Sequence, residues 1–255
     1  MISLIIGIKC FQYLKCQIDK LIGELGRYPM YVKSKERSLL YWVKIMKHVD
    51  NPMHMCYVDQ LQRIHVPRNN TWAFSLKSLL DNLGFSNIWS AFNSDVNYIP
   101  IFKQRLCDQY VQEWNTSITN QPKLDSYRLF KTEFKYEKYL DAVSNVSMRK
   151  EFSKLRLSSH CLEIETGRYV NIDRNERHCK CCNMRVVESE YHFMLCCPLY
   201  RELRQKYSIS VSFPTLHKFV NIMSCKNTKT IRNISKYIYY ALLKRQEKLE
   251  TVPAS

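Results

Sequence analysis

Cys179, Cys182, His192 and Cys197 stand in a C-x2-C-x9-H-x4-C array, and no other feature of the chain limits its fold so tightly. Three thiolate donors and one imidazole are the ligand types of a closed, four-coordinate structural metal site, which keeps no open position for a substrate. The array therefore predicts a binding knuckle clamped by one structural Zn2+, and argues against a metalloenzyme. Two cysteines in C-x2-C make a tight turn that aims both sulfurs at one ion. The surrounding Arg177-His178-Cys179-Lys180-Cys181-Cys182 is polar and basic, as a solvent-facing metal turn requires.

The second pair of ligands is ambiguous. Glu190 to Leu195 reads as a short helix, on which His192 and Cys196 lie four apart and share a face. Cys197 precedes Pro198, which disfavours helical geometry and sets its thiol where the chain leaves the helix. Either sulfur reaches the metal on this reading.

Eleven cysteines, an odd number, spread over 255 residues do not suggest a secreted disulfide framework in a chain long enough to bury a core. A reducing intracellular compartment, nucleus or cytoplasm, is expected. The apolar start Met1–Ile8 lacks a basic lead-in and is too short to span a bilayer, so neither a leader nor a membrane partner is expected. The net charge of +16 favours polyanionic partners, nucleic acid above all. Half of that excess falls in residues 201–255, with eleven basic and three acidic side chains.

Five glycines and eight prolines leave few breaks, and apolar residues recur at three and four, so the expected class is mainly α. The expected architecture is an irregular helical bundle, a small CCHC zinc-knuckle module and a basic amphipathic C-terminal helix. Leu39, Leu40, Val43 and Met46 stripe a helix started at Ser34. Trp72, Leu76, Leu79, Leu80 and Leu83 stripe another, capped by Asn70 or Thr71 and closed by Gly84. A longer helix is expected from Ile101 to about Ile118, and shorter ones around 127–134 and 147–157. Their Trp and Tyr residues fall on the stripes and are read as packing. Cys161 to Glu165 alternates at period two and suggests a short strand ending at Gly167. The polar stretch 116–123 divides an N-terminal bundle, 1–120, from a connector, 121–169, and the zinc module with its basic helices, 170–255.

The last helix, started near Asn227 or Thr228, places Ile231, Ile234, Ile238, Ala241 and Leu242 on one face. Lys229, Arg232, Lys236, Tyr240 and Lys244 lie on the other. Docked by its isoleucines, it holds out a cationic ridge able to track phosphates, extended by Arg201, Arg204 and Lys206. The competing reading is the charged outer face of any amphipathic helix.

Three stretches carry a family resemblance. Leu155-Arg-Leu-Ser-Ser-His-Cys-Leu-Glu-Ile-Glu-Thr-Gly-Arg168, then Arg177-x-Cys179-x2-Cys182, then Glu188-x-Glu190-Tyr-His192-Phe-x3-Cys197-Pro-Leu-Tyr200 resemble the C-terminal region of reverse-transcriptase-like proteins of animal non-LTR, LINE-like retrotransposons. Gly23-Glu-Leu-Gly-Arg-Tyr-Pro-Met30 and the Tyr41-Trp42 helix are similar to the stretch just past the polymerase in those proteins. The resemblance implies a post-thumb segment ending in a zinc knuckle that holds template RNA or target DNA. It makes Cys197, ahead of Pro-Leu-Tyr, the fourth ligand.

Polymerase chemistry needs paired aspartates for two divalent ions, and the chain has no Asp-Asp pair; nor has it any Asp after Asp173 for the nuclease that follows the knuckle in some relatives. A non-catalytic fragment of such an element is expected, with a truncated copy as its origin. Glu163 and Glu165 beside His160 are read as solvent charges or as braces paired with Arg156 and Arg168. His48, His54 and His65 lack ligand spacing. A zinc-stapled helical scaffold that offers its isoleucine stripe to another protein is the alternative function, and a relic without a partner the last.

Overall fold

A computed structural model describes residues 18–63, 71–91, 96–209 and 212–251. The apolar start, His65 and Asn70 lie outside these. In chain order the helices are α1 (18–25), α2 (Met30–Lys47), α3 (Pro52–Gln62), α4 (Trp72–Asn82), α5 (Ser86–Ser90) and α6 (Tyr98–Thr119). They are followed by α7 (Asp125–Phe130), α8 (Tyr139–Ala142), α9 (Val146–Arg156), α10 (Glu163–Tyr169), α11 (Arg201–Lys206), α12 (Leu216–Met223) and α13 (Thr228–Glu250). Among the described residues there is no strand, only an isolated antiparallel bridge between His178 and Val187. The fold is mainly α. No described helix is long and apolar enough to cross a membrane.

The chain divides into two compact units, one of residues Arg27–Thr116 and one joining the segment up to Gly26 with everything from Ser117 on. The described residues 18–26 thus group with the C-terminal part, where the sequence suggested one bundle over 1–120.

In the 27–116 unit, α2 starts at Met30, four residues ahead of Ser34, because extended Pro29 ends the preceding loop at the helix N-cap. Its buried stripe is Val32, Leu39, Trp42, Val43 and Ile45, while Leu40 is exposed and Met46 half-buried. Trp42 explains the rotation: a fully buried indole stacked on Trp89, centroids 5.4 Å apart, draws that side of the helix inward. Thr71 caps α4 by accepting from the Phe74 amide at 3.2 Å. Leu76, Leu80 and Leu83 are buried, and Trp72 and Leu79 are half-exposed. Along α6, Phe102, Leu106, Tyr110 and Trp114 follow the helical period into the same core.

The larger unit is organised around a charge. Arg156 on α9 is 1% exposed and pairs with Glu24 of α1, Nε to Oε2 at 2.8 Å and Nη2 to Oε1 at 3.1 Å. Its Nη2 also meets Glu137 at 3.1 Å, and its Nη1 donates to the Met223 carbonyl of α12. The rings of Phe130 and Tyr139 lie 4.7 and 5.1 Å from the guanidinium carbon. One side chain therefore fixes α1, α7, α8, α9 and α12 together. Gly26 makes the approach of α1 possible: its φ is +56°, and a Cβ there would stand 2.3 Å from the Tyr136 amide nitrogen. The isoleucine stripe of α13, Ile231, Ile234 and Ile238 with Ala241, is at most 1% exposed, and α13 packs on α8, α9 and α11.

Arg156→Met strands the Glu24 carboxylate in the interior, where an unpaired buried charge costs about 3–5 kcal/mol. Urea unfolding is expected to show a matching drop in midpoint, and a midpoint unchanged from wild type contradicts the role given to the pair.

Candidate metal centre

Residues 177–188 double back on themselves. The Cys179 amide donates to the Val186 carbonyl and the Glu188 amide to the Arg177 carbonyl, both at 2.9 Å, on either side of the His178–Val187 bridge. Arg185, at φ +51°, adopts the left-handed geometry at the return. This turn brings Cys179 and Cys182 to one side. The other arm starts as a helix at Glu190 and widens into a π-turn over His192–Cys196, closed by the Cys197 amide donating to the His192 carbonyl at 2.9 Å. Such widened turns recur at functional sites. Here the turn sets which cysteine joins the cluster: closure five residues on brings Cys197 to His192, and Cys196 stands beside Tyr191 outside it.

The ligand atoms of Cys179, Cys182, His192 and Cys197 all lie within 4.8 Å of one another, and the four could hold a metal ion. Tetrahedral ligation with ordinary Zn–S and Zn–N bonds separates donors by roughly 3.5–3.8 Å. Cys182 Sγ stands 3.5 Å from His192 Nε2, the spacing of one edge of such a site. Cys197 is fully buried, Cys179 and His192 nearly so, and Cys182 is half-exposed at the rim. Burial pushes the His192 imidazole below its ordinary pKa, keeping it neutral as a ligand must be. For the Cys179 thiol, the hydrogen bond with Cys181 lowers the pKa, but the bond with Cys197 and burial outweigh it and hold the thiol above its ordinary range. A cation among such thiols would favour their deprotonated forms.

A ring of buried polar contacts holds the turn on the helices. Glu188, 1% exposed, takes both Arg245 Nε at 2.8 Å and Nη2 at 2.7 Å, and Arg245 also reaches Glu163 at 3.3 Å. Glu188 Oε1 stands 3.7 Å from Cys179 Sγ, beside the ligand set. Arg177 donates to the carbonyls of Ile164 and Ile172, its stem lying where a Cβ on Gly167 would stand, at 2.7 Å. Tyr237 of α13 donates to the Phe193 carbonyl at 2.7 Å and Arg204 of α11 to the Cys197 carbonyl at 2.7 Å. Glu190 accepts from Ser126 and Ser158 and pairs with His160 at 3.0 Å. Burial opposes its charge, yet the His160 contact, its own backbone bond and Ser126 together bring the carboxyl down to about 2.

Several expectations are corrected here. Cys161–Glu165 is not a strand: Glu163 opens α10, because both acids turn inward to buried cations, Glu165 to Lys123 at 3.0 Å and Glu163 to Arg245. Of the two proposed braces, Arg168 does meet Glu165, at 3.4 Å, whereas Arg156 is engaged by Glu24. Arg204 is no surface residue but 7% exposed and bound to the Cys197 carbonyl. Lys244 is half-buried and bridged to Glu202 at 3.4 Å. Arg201, Lys206, Lys229, Arg232 and Lys236 are exposed, though Arg232 spends its Nε on the Ala142 carbonyl at 2.9 Å. His48 is exposed and His54 half-buried against Tyr57, neither in a cluster of possible metal ligands. The sequence reading missed Arg245, Glu188 and Glu190 as supports; the signal available for them was an acid flanking each side of Ser189 next to the ligand array, and an arginine on the apolar side of α13.

No family model, curated protein or solved structure matches this chain. What fold and site define is a helical protein carrying a Cys3His cluster with the composition and spacing to hold a metal.

Cobalt titration separates the two candidate fourth ligands: Cys197→Ala is expected to lose tight binding and the tetrahedral visible absorption, and Cys196→Ala to keep both. The reverse pattern contradicts the π-turn geometry. Glu190 supplies a pH signature as well. Its carboxyl is depressed in the folded chain, so its stabilisation is complete above the ordinary glutamate value near 4.3 and disappears as pH falls towards about 2. The stability gap between wild type and Glu190→Gln is expected to be roughly 2–3 kcal/mol at neutral pH and to close across that window; a gap constant with pH contradicts the assignment.

Proposed function

We propose that this chain is a non-catalytic, zinc-clamped nucleic-acid-binding protein, in which the metal turn stiffens the platform of α11 and α13 and basic side chains on those helices meet phosphates. The observation that carries the reading is the meeting of Cys179, Cys182, His192 and Cys197 within 4.8 Å, beside a C-terminal helix that buries its isoleucines and leaves lysines outside. Three thiolates and an imidazole select Zn2+ over hard cations, and a set complete with four protein ligands is structural. The resemblance to the C-terminal region of LINE-like reverse-transcriptase proteins points the same way, since the zinc knuckle there serves template or target binding.

The outer side of α13 offers Lys229, Arg232 and Lys236, and α11, packed against it, adds Arg201 and Lys206. Tyr207 and Tyr240 stack across the two helices, centroids 6.0 Å apart and rings 4° from parallel, with Lys206 Nζ 5.6 Å from the Tyr207 centroid. Charge on this surface tracks backbone phosphates without reading sequence. The alternative, a scaffold docking a partner on the isoleucine stripe, loses its carrying observation because that stripe is covered within the chain itself.

Elemental analysis of the purified chain is expected to give one zinc per molecule. Affinity for RNA and duplex DNA is expected to fall steeply with salt, and Lys236→Gln to weaken every sequence alike and flatten the salt slope by about one unit. Weak binding indifferent to ionic strength refutes the nucleic-acid role and leaves the metal site standing.

A further inference from the structure

We propose that the groove between α2 and the start of α4 is a second contact for single-stranded nucleic acid, seating a phosphodiester on Lys33 and Arg37 and a base against Tyr41 and Trp72. The idea deepens the preceding reading, from which it takes the class of ligand, but it stands on residues of the other compact unit.

Met30, Lys33, Ser34, Arg37, Ser38 and Tyr41 recur at three and four along α2 and so form one helix face. With Trp72 they line a groove of about 450 Å³. Among the described residues, no carboxylate lines it. The one acid of α2, Glu36, is turned to Lys103 at 3.0 Å, so both cations of the groove keep their charge for a ligand. Ser34 and Ser38 between them are short, and the Ser38 hydroxyl folds back onto the Ser34 carbonyl at 3.0 Å, which leaves the floor low. Lys33 and Arg37 are exposed.

At the far end the chemistry changes. Tyr41 and Trp72 meet edge to face, centroids 5.8 Å apart, and Tyr57 braces the indole from 6.4 Å. The same two rings also line an adjoining hollow of about 200 Å³, walled by Ile45, Met53 and Cys56. An aromatic pair thus divides a groove whose charged lining residues are both cations from a largely apolar recess with Gln60 at its wall, and a nucleotide divides the same way, into an anionic phosphate and a flat apolar base. Tyr41 remains 41% exposed and Met30 75%, an apolar margin that a stacked base covers. The recess admits a base only from an unpaired strand, since in a duplex both faces of each base are occupied by its neighbours.

The test uses the full chain with its metal and fluorescence anisotropy of a labelled oligouridylate of about 12 nucleotides, beside a duplex of equal length. Lys33→Gln combined with Arg37→Gln is expected to weaken single-strand binding roughly five- to tenfold at low salt and to lower the salt slope by about 1.4, two phosphate contacts at about 0.7 each. Tyr41→Leu is expected to weaken the single strand at least about fivefold, as lost stacking does, and to leave duplex binding alone. Both substitutions lie on exposed surface, and unchanged thermal unfolding checks that the variants fold; should Tyr41→Leu not fold, the Lys33/Arg37 variant decides. Groove variants that bind like wild type while Lys236→Gln binds weakly overturn the groove and keep the α13 surface. Absence of salt-dependent binding by any form overturns both. Displacement of the oligonucleotide by polyglutamate, equally from wild type and Tyr41→Leu, marks a surface for acidic protein segments and overturns the proposal.

Discussion

The pairing of Glu188 with Arg245 is the contact on which the Cys3His cluster depends. A turn of a dozen residues has too little apolar surface to hold itself against a helical body, and its ligands must be fixed before an ion can be gripped by all four. Glu188 sits in the returning arm of the turn, almost touching Cys179, and is fastened by two short bonds to a guanidinium on the buried side of α13. Both charges are buried and each is satisfied by the other, the condition under which a buried ion pair fixes geometry more than it adds stability. The carboxylate also stands beside the Cys179 thiol, where an acid can orient a metal-binding sulfur.

The same economy recurs through the larger unit. Arg156 with Glu24, Lys123 with Glu165 and Glu190 with His160 are all interior pairs. They change the meaning of the net charge. A formal +16 counts cations irrespective of place, but Arg156, Arg204 and Arg245 face inward and act as fasteners. The count of cations that face solvent is therefore smaller than the composition suggests, and the outer sides of α2, α11 and α13 carry part of it.

Legibility followed the range of the interactions involved. The helical class, the limits of α4 and α9 and the end of α6 could be read because caps, glycines and the 3.6 period act within a few residues, whereas α6 starts at Tyr98, ahead of the expected Ile101. The four-residue cluster could be read because donors able to share one metal recur at set spacings on a short stretch. Cys197 over Cys196 needed the family likeness beforehand, since a π-turn has no compositional mark that separates it from an α-turn. Cys161–Glu165 misled because five alternating residues fit the first turn of a helix whose acids face inward as readily as a strand. Arg204 misled for a related reason: its partner is the Cys197 carbonyl, and nothing local tells an arginine that caps a buried oxygen from one held out to solvent. Trp72 lay between readings, on the stripe as expected but only half-covered.

The distance along the chain between Glu188 and its guanidinium has a consequence for biosynthesis. As the polypeptide emerges, the cysteines and the acid appear well before the helix that neutralises that acid. Until α13 docks, burying Glu188 is electrostatically unfavourable, and a turn left open for that reason would keep its sulfur atoms within reach of solvent. Closure of the turn on a metal would then wait for α13 to dock, with that helix as the latch.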